Sequence, residues 1–302
     1  MHEIYFGGLD FGSSGARITI INKKKDTIYT SSRSEGYELK KPNSWLFICE
    51  DLLSNIPLEI KQKVDRISIS GTSGTLLACQ MNGISLGDAI PYYEICDEYP
   101  QKLKKIAGQD EFLNNPFSGL AKALKLLNLY GKDILLRHQS DWISGWVMNN
   151  WLFGEEGNNV KLGWNIISQS WPKNFSLNTW HNCLPKIKTS GSILGFIDKK
   201  LAQRLNLNSN LSIVAGTTDS NAGFIASGVK QDEGLTVLGT TLVLKKFISE
   251  PVIYPGVSMH RVNKEWICGG ASNASCGVLS KFFSNSEIED LSKQINPSKE
   301  TK

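Results

Sequence analysis

The sequence predicts a duplicated α/β fold, from two similar hairpins and from buried strands that alternate with helices. The first hairpin occupies residues 8–21, GLDFGSSGARITII, in which two apolar runs flank a Gly/Ser turn. The second occupies residues 235–247, LTVLGTTLVLKKF, and repeats the order strand, glycine, two hydroxyl residues, strand. The copies lie more than 200 residues apart and no shorter period is present, so the sequence indicates one duplication and not a solenoid.

The turn of the first hairpin has the residue types that bind phosphate. Gly12 lets the backbone approach an anion closely, and Ser13 and Ser14 add hydroxyl donors to the backbone N–H groups. Arg17 adds positive charge, and Asp10 can hold a metal-bound water or a substrate hydroxyl. The alternative is an ordinary surface turn, and the second copy of the hairpin favours the phosphate interpretation.

Length and charge exclude several classes of protein. A chain of 302 residues with 40% hydrophobic residues predicts two globular domains. The net charge of +4 is spread along the chain, and no aromatic residues interleave with a basic stripe, so we expect no nucleic-acid partner. The N-terminus enters a strand at once, and no apolar run approaches about 18 residues. We therefore expect no signal peptide, no membrane segment and a cytoplasmic location.

Several common sites are also excluded. The six cysteines form no CxxC pair and have no histidine at metal spacing, which predicts reduced and mostly buried thiols. No two glycines lie two positions apart, so the GxGxxG dinucleotide fingerprint is absent. Gly131-Lys132 lacks the upstream glycine of a Walker loop, and HExxH and GxSxG are missing.

The first half continues with elements that lead to a candidate ligand loop. They are a strand at 27–34, a polar connection at 37–44, a helix at 45–53 and a buried strand at 64–69. This last strand runs into Thr72, Ser73 and Gly74. Loops at the carboxyl ends of strands bind ligands in open sheets, although an ordinary turn explains these residues equally well.

Further stretches also predict secondary structure, and one of them leads to a second candidate functional residue, Asp219. Residues 117–130 predict an amphipathic helix that begins at Ser118, in which we expect Lys122 to be solvated or salt-bridged. Residues 211–215 predict a strand that ends at a Gly/Thr turn and Asp219, followed by small residues at helical spacing. Asp219 is either the N-cap of that helix or a catalytic carboxylate. Residues 257–261 and 266–270 predict further strands, and residues 273–283 a helix.

Three of these motifs together resemble a known family. GLDFGSSGAR and VLGTTLVL resemble the two phosphate loops of the sugar-kinase, hsp70 and actin superfamily. Between them, residues 214–228, VAGTTDSNAGFIASG, resemble the catalytic segment of the FGGY carbohydrate kinases. The resemblance implies an actin-like ATPase fold of the ribonuclease H-like type, with a sugar-binding and catalytic domain at 1–231. Residues 232–302 would then form part of an ATP-binding domain, with roughly three of about five strands.

The resemblance also implies roles for individual residues. Asp219 would be the base that accepts the proton of a sugar hydroxyl, and Asp10 would organise Mg²⁺ through water and contact the sugar. The β- and γ-phosphates of ATP would contact Gly12, Ser13, Ser14 and Arg17 in one hairpin and Gly239, Thr240 and Thr241 in the other. The two halves would hold one polyphosphate from opposite sides and close about a hinge near residues 228–234.

The sugar is implied by departures from the family pattern. Thr72, Ser73 and Gly74 stand where many members have Gly-Gln-x-His-Gly, and such a small loop resembles the xylulose-kinase-like branch that acts on D-ribulose. D-ribulose is therefore the first expected substrate and D-xylulose the next. Glu94 stands near the family's substrate aspartate, whereas Cys96 replaces the usual arginine, which leaves the sugar open. The segments 118–122, 141–143 and 158–163 resemble further family motifs.

The resemblance leaves other interpretations open. The family's adenosine loop is not recognised, so we expect the 302-residue chain to be a C-terminally truncated form that binds sugar weakly and ATP poorly. Unpaired strands would favour aggregation or a partner chain, including a homodimer. One alternative is a catalytically silent sugar-binding or regulatory protein of the same fold. The other is a chaperone-like or actin-like nucleotide switch, which lacks the sugar-side segments.

Overall fold

A computed structural model describes residues 3–176, 180–239, 241–272, 274–296 and 298–299. The chain divides into two compact units. Unit 1 is Met1–Gly223 with Arg261–Lys264, and unit 2 is Phe224–His260 with Glu265–Lys302. Each unit is described by itself below.

The strands of unit 1 form one six-stranded sheet and two small two-stranded sheets. They are β1 (Tyr5–Phe11), β2 (Ala16–Asn22), β3 (Thr27–Arg33), β4 (Val64–Gly71), β5 (Leu76–Cys79), β6 (Leu135–His138), β7 (Phe153–Glu155), β8 (Lys186–Lys188), β9 (Ile193–Phe196) and β10 (Ser212–Thr218). The large sheet has the order β3-β2-β1-β4-β10-β9, while β5 pairs with β6 and β7 with β8.

The helices of unit 1 are mostly short. They are α1 (Pro42–Ser54), α2 (Leu58–Lys61), α3 (Pro100–Ala107), α4 (Gly119–Tyr130), α5 (Gln139–Met148), α6 (Glu156–Asn159), α7 (Lys173–Ser176) and α8 (Lys199–Leu205), with 3₁₀ turns at Val160–Leu162 and His181–Cys183. Helix α9 (Asp219–Ala226) begins in unit 1. The described helices include none that is long and apolar enough to cross a membrane.

The large sheet is stabilised by the burial of alternate side chains along its strands and by the helices packed on it. Along β1, every second side chain is buried, as expected for a strand with one face in a core. Trp45 of α1 and Trp142 of α5 meet edge to face, with ring centroids 5.9 Å apart, inside the same apolar cluster as Leu9 and Ile69. This core fixes the registers of the central strands, because a slip of one residue would expose the buried face.

The central strands bring three chain segments to one edge of the sheet. Strands β1 and β10 both pair in parallel with β4, which lies between them. Asp10 is opposite Ser70, and Gly71 is opposite both Phe11 and Thr218. The carboxyl ends of β1, β4 and β10 therefore lie side by side, at the edge where ligands bind in open α/β sheets.

One antiparallel sheet of four strands lies mainly in unit 2. The strands are β11 (Gly234–Leu238), β12 (Leu242–Ile248), β13 (Ser258–Val262) and β14 (Glu265–Ser272), in the order β11-β12-β14-β13, followed by α10 (Cys276–Leu279) and α11 (Asn285–Gln294). The predicted hairpin at 235–247 is confirmed, since β11 pairs antiparallel with β12. An open cavity of about 400 Å³ lies against this sheet and is lined by residues such as Leu235, Leu244 and Val257.

Most predicted elements are confirmed, and two boundaries were wrong. The helix predicted at 45–53 begins earlier, at Pro42, because proline is tolerated in the first helical turn, so the polar connection ends at Lys41. The helix predicted at 273–283 covers only four residues, Cys276–Leu279. A second helix, α11, starts at Ser284 with a capping box to Glu287, a signal that the sequence contains and the prediction missed.

Candidate functional site

The candidate site in unit 1 is built on the carboxyl ends of β1, β4 and β10. Asp10 is the last but one residue of β1, Thr72 follows β4, and Asp219 follows β10. Because these three strands are adjacent, the site needs no long loop to bring two carboxylates and a hydroxyl residue to one edge. The sequence predicted these residues, and the strand order places them at that edge.

Asp10 combines an exposed and a buried carboxylate oxygen. Its Oδ2 lies 3.6 Å from Nε of Arg17, which faces it across the hairpin and is largely exposed. Its Oδ1 is buried and has no hydrogen-bond partner among the described residues. Burial raises the pKa of Asp10, and Arg17 lowers it. An unsatisfied buried carboxylate oxygen is costly, so a ligand or cation that supplied a partner would bind here favourably.

Asp219 opens helix α9, and the N-cap position belongs to its neighbour. Oγ1 of Thr218 accepts a hydrogen bond from the Asn221 backbone N–H at 3.3 Å, which is the usual capping contact. The Asp219 carboxylate accepts a bond from the Ser220 N–H at 2.7 Å and is half-buried. Asp219 is thus in the first helical turn, where the helix dipole stabilises a negative charge.

Tyr37 lies near both candidate carboxylates. Burial raises the pKa of Tyr37 to about 12, and the negative charges of Asp10 and Asp219 both act in the same direction. Each carboxylate must lie close to the Tyr37 phenol to act on it through partly buried surroundings. The prediction from sequence missed Tyr37, which falls in a stretch assigned as a polar connection.

The turn of the first hairpin is closed by its own backbone. The Gly12 N–H donates to the Gly15 carbonyl at 2.9 Å, and the side chains of Ser13 and Ser14 are exposed. A Cβ on Gly15 would lie only 2.5 Å from the Arg33 carbonyl oxygen, so the close approach of the neighbouring strand requires glycine. Tyr37 donates its hydroxyl to the Gly12 carbonyl at 2.6 Å. The turn therefore presents two exposed hydroxyls on a fixed backbone.

The loop after β4 is held from within by buried hydroxyl groups. Thr72 and Thr75 are almost fully buried, and their Oγ1 atoms are 2.7 Å apart. Gln139 accepts from the Thr72 N–H at 3.0 Å and from the Thr72 hydroxyl at 2.9 Å. The hydroxyl oxygen of Ser73 is buried without a partner in the described structure, and Gly74 has a φ of +93°, which favours glycine.

Lys122 corrects one prediction from the sequence. We expected a solvated or salt-bridged side chain, but Lys122 is fully buried. Its ammonium group donates to the backbone carbonyls of Phe117 at 2.6 Å and of Tyr92 at 3.3 Å. Burial lowers the pKa of Lys122 to about 8. Through these bonds Lys122 joins helix α4 to the segment around Tyr92, which follows the candidate ligand loop.

Glu94 lies in the same neighbourhood. Its carboxylate forms an ion pair with Lys40 at 2.7 Å, and both side chains are partly exposed. Such a surface pair contributes about 0–1 kcal/mol, so it is easily exchanged for a ligand contact. Glu94 also acts to raise the pKa of Lys122 by its negative charge, so it is near the segment that Lys122 fastens.

A buried polar network behind the site was missed from the sequence. Glu155 caps α6 by accepting from the N–H groups of Gly157 at 2.7 Å and Asn158 at 2.8 Å, and it accepts from the Ser190 hydroxyl at 2.5 Å. Asp141 accepts from the Glu155 N–H at 2.9 Å. The acidic residue ahead of a short helix was a readable capping signal, but its burial depends on strands far apart in sequence.

The network predicts how stability depends on pH. Burial and then the neighbouring Asp141 raise the pKa of Glu155 from its ordinary value of 4.5 to about 7. The folded state thus holds this proton more tightly, so the contribution of Glu155 to stability falls as pH rises from about 4.5 to 7. Because of Glu155, the free energy of unfolding of the wild type should fall by about 3 kcal/mol over this pH range. We expect this fall to be absent in Glu155→Gln.

The measurement is urea unfolding at pH 5 and pH 8, compared between the wild type and Glu155→Gln. Asp141, whose pKa is raised to about 6, interacts with Glu155, so the difference between the two proteins reports Glu155 together with this interaction. It excludes the titration of His138, whose pKa is lowered to about 4. Asp26→Asn, on an exposed turn, is the control and should leave the wild-type pH dependence unchanged. Equal slopes in the wild type and Glu155→Gln would contradict the prediction.

The second hairpin, whose turn is predicted to contact phosphate, lies in unit 2. Its turn is closed by a weak bond of 3.3 Å from the Gly239 N–H to the Thr241 carbonyl. The Gly239 carbonyl accepts a bond from the Ser275 hydroxyl at 2.9 Å, which ties the turn to the segment before α10. Gly239 and Thr241 are half-buried. Thr240, the third residue predicted to contact phosphate, lies outside the described residues.

The predicted burial of most cysteines is confirmed. All six are free; Cys49, Cys79, Cys96 and Cys183 are buried, while Cys268 is partly exposed and Cys276 exposed. Within the described ranges, no three His, Cys, Asp or Glu side chains are grouped closely enough to hold a metal ion by themselves.

Comparison with known proteins supports the resemblance seen in the sequence. No family model matches the chain. The chain is similar to a xylulose kinase of Lactococcus lactis, with 24% identity over 282 residues, which covers 83% of this chain and 55% of that protein. The chain thus spans about half the length of this curated relative.

Solved structures show the fold. The gluconate kinase of Lactobacillus acidophilus aligns with 98% of this chain and 66% of its own, at a TM-score of 0.81 and 15% identity. The glycerol kinase of Plasmodium falciparum, solved with ADP, aligns with 97% of this chain and 67% of its own, at a TM-score of 0.77 and 14% identity. These likenesses confirm the predicted actin-like α/β fold of the carbohydrate kinases.

Proposed function

We propose that this chain, a relative of the FGGY carbohydrate kinases, binds a pentulose in unit 1 and serves phosphoryl transfer from ATP to a sugar hydroxyl. One observation carries the proposal: Asp10, Asp219 and the loop at Thr72 lie at the adjacent carboxyl ends of three parallel strands. Phosphoryl transfer requires alignment, neutralised charge and a base, and these residue types supply all three.

Asp219 is the proposed base. The attacking sugar oxygen forms a bond to the γ-phosphorus while the bond between this phosphorus and the β-γ bridging oxygen breaks, and ADP leaves. The hydroxyl proton passes to the carboxylate of Asp219, which holds it until solvent takes it up. Asp219 is half-buried and accepts a bond from the Ser220 N–H at 2.7 Å, which fixes its direction. A fixed acceptor is what a positioned base needs.

Asp10 is proposed to hold Mg²⁺ through water. The orphaned Oδ1 atom fits this role, since it is a buried carboxylate oxygen that lacks a partner among the described residues. Mg²⁺ keeps several waters and is usually bound through one or two carboxylates and the phosphates of a substrate, so a single aspartate is sufficient protein ligation. When bound, the cation would neutralise charge on the phosphates.

The remaining contacts divide between phosphate and sugar. Gly12, Ser13 and Ser14 are proposed to contact phosphate through N–H and hydroxyl donors, with Arg17 offsetting charge. In unit 2, Gly239, Thr240 and Thr241 are proposed to do the same. Thr72, Ser73, Gly74 and Glu94 are proposed sugar contacts, and the Ser73 hydroxyl, unpartnered within the described residues, supports this because a sugar hydroxyl would satisfy it.

The identity of the pentulose rests on two different arguments. The small residues of the loop at Thr72 favour D-ribulose, whereas the curated relative is named a xylulose kinase. Both sugars are ketopentoses with several adjacent hydroxyls, which suit a loop of hydroxyl side chains. We therefore propose D-ribulose first and D-xylulose second, and the experiment measures both.

The test combines calorimetric binding of D-ribulose and D-xylulose with an assay of ADP release in the presence of ATP and Mg²⁺. Binding of either pentulose with a Kd below about 1 mM is the expected result for this chain, and ADP release is expected once the chain is extended through the rest of an ATP-binding domain. D-glucose serves as the control sugar. Sugar binding without ADP release by the extended chain would instead support a catalytically silent sugar-binding protein. Absence of binding to both pentuloses would contradict the proposal.

A further inference from the structure

A single chain of buried and partly buried hydrogen bonds connects the candidate sugar loop to the candidate phosphate turn. From the loop side, the Tyr92 N–H donates to the Thr75 hydroxyl at 3.3 Å, and Thr72 and Thr75 hydroxyls are 2.7 Å apart. The Thr72 hydroxyl then reaches Oε1 of Gln139 at 2.9 Å. Gln139 is fully buried, so water does not compete for its bond with Thr72.

The chain of hydrogen bonds continues from Gln139 to the turn of the first hairpin. Nε2 of Gln139 donates to the Tyr37 hydroxyl at 2.9 Å, and that hydroxyl donates to the Gly12 carbonyl at 2.6 Å. Gln139 and Thr72 are 67 residues apart in sequence, and Gln139 and Tyr37 are 102 apart. The side-chain amide of Gln139 therefore joins the two parts of this chain of bonds. Its oxygen accepts from Thr72, and its nitrogen donates to Tyr37.

Every bond in this chain has a defined direction. Because Gln139 accepts with its oxygen and donates with its nitrogen, the Thr72 hydroxyl must donate to it, and the Thr75 hydroxyl must donate to Thr72. On the other side, Tyr37 accepts from Gln139 and must give its own proton to Gly12. Bonds that are aligned within a buried environment polarise one another, so a change at Thr72 alters the bond at Gly12.

Fixing the Gly12 carbonyl also fixes the phosphate donor beside it. In a trans peptide the carbonyl and the following N–H point in opposite directions, and the described chain has no cis peptide. With its oxygen held by Tyr37, the peptide that joins Gly12 to Ser13 directs the Ser13 N–H away from Tyr37. Ser13 is exposed, so this donor is available to an anion.

We propose that Gln139 and Tyr37 are positioning residues that couple occupation of the sugar loop to phosphate binding at residues 12–15. This inference rests on the proposed function, because it assumes that a pentulose occupies the loop at Thr72. A sugar hydroxyl that orders Thr72 strengthens the bonds through Gln139 and Tyr37, and the turn is then held in its phosphate-binding form. Neither residue is assigned a contact with a reacting atom.

The test uses the whole chain and two variants with a matched control. Tyr37→Phe removes the links from Tyr37 to Gly12 and to Gln139, whereas Gln139→Leu removes the links to Tyr37 and to Thr72. Tyr29→Phe is the control, since the Tyr29 hydroxyl donates to the Asn55 carbonyl at 3.2 Å, outside this chain of bonds. Two measurements are made: hydrogen–deuterium exchange of the peptide that spans residues 12–15, and binding of Mg²⁺–tripolyphosphate with and without D-ribulose or D-xylulose.

Exchange at residues 12–15 should accelerate at least about threefold in Tyr37→Phe and Gln139→Leu, but not in Tyr29→Phe. In the wild type, a saturating pentulose should tighten tripolyphosphate binding about fivefold or more, a typical coupling between two sites. This coupling should vanish in Tyr37→Phe while the pentulose Kd stays within about twofold. A merely structural role would instead weaken both ligands together and leave the coupling in place.

The outcomes separate the two proposals. Coupling that persists in both variants, or unchanged exchange at residues 12–15 in Gln139→Leu, would overturn the positioning role. If the wild type binds neither pentulose, the proposed function fails, and the exchange measurement still decides whether Gln139 controls the turn. The hydrogen–deuterium exchange measurement needs no ligand. It therefore tests the positioning role whether or not the chain binds a pentulose.

Discussion

Replacing Asp219 with Asn should reduce the rate of ADP release about 10²- to 10⁴-fold, the usual contribution of a positioned general base. The amide keeps the shape of the carboxylate and can still accept from the Ser220 N–H, a bond of 2.7 Å in the wild type. It cannot accept the sugar proton. The loss should therefore appear in kcat, with the pentulose Kd within about threefold of the wild type.

The control is Asp65→Asn, a matched change at the opposite edge of the sheet. Asp65 is the second residue of β4 and pairs with Arg66 on the surface, whereas Asp219 follows the carboxyl end of β10. The Asp65 variant should retain the wild-type rate. Full activity in Asp219→Asn would remove Asp219 as the base. An equal loss of sugar affinity and rate would mean that Asp219 binds the sugar and does not act on its proton.

The elements that carry the candidate site could be predicted from the sequence where the signal is local. The hairpin at residues 8–21, the strand before Thr72 and the strand before Asp219 each follow from apolar runs that end at glycine or hydroxyl residues. The similarity of two short hairpins was enough to predict the duplicated fold. These signals depend on neighbouring residues only, so they can be read without knowledge of the folded chain.

The buried polar groups could not be predicted in the same way. Lys122 is fully buried because carbonyls of Phe117 and Tyr92 satisfy its ammonium group, and Tyr92 is 30 residues away. Gln139 joins Thr72 to Tyr37 across 67 and 102 residues. From sequence alone, a lysine or glutamine is predicted to lie on the surface. Its burial requires hydrogen-bond partners that only the fold brings close.

The helix predicted at 273–283 shows a different limit. Its apolar residues suit a helix, but small polar residues before Cys276 compete for backbone hydrogen bonds, and the helix that forms has only four residues. The capped helix at Asn285–Gln294 has no buried residue. Ile288, Leu291 and Ile295 recur at helical spacing, so the sequence contained this periodic signal as well as the capping box, and the prediction missed both.

Gly216→Ala should destabilise unit 1 by about 3 kcal/mol, because the added methyl group has no space. A Cβ at Gly216 would lie within 2.0 Å of the Ile69 carbonyl oxygen and 2.6 Å of its carbonyl carbon. Both atoms belong to the backbone of the adjacent strand β4, so no side-chain rotation relieves the contact. The register between β10 and β4 also shifts just here, between Ala215 and Thr218, which leaves little pairing to absorb a displacement.

Gly223→Ala is the matched control for this change. A Cβ at Gly223 meets no atom within 4 Å, and the residue lies inside helix α9, where alanine is favoured over glycine by up to about 1 kcal/mol. Thermal and urea unfolding should therefore show a lower midpoint for Gly216→Ala, by about 10 °C, and an unchanged or slightly raised one for Gly223→Ala. A midpoint for Gly216→Ala within about 2 °C of the wild type would contradict the steric argument.

The same variant connects the fold to the proposed chemistry. Gly216 precedes Asp219 by three residues on one strand and its turn, so pushing β10 away from β4 displaces Asp219 relative to Thr72. Positioned groups lose about 10²-fold in rate for a displacement near 1 Å. At a temperature where Gly216→Ala is still folded, it should therefore lose phosphoryl transfer and pentulose affinity together, unlike Asp219→Asn, which should lose the rate alone.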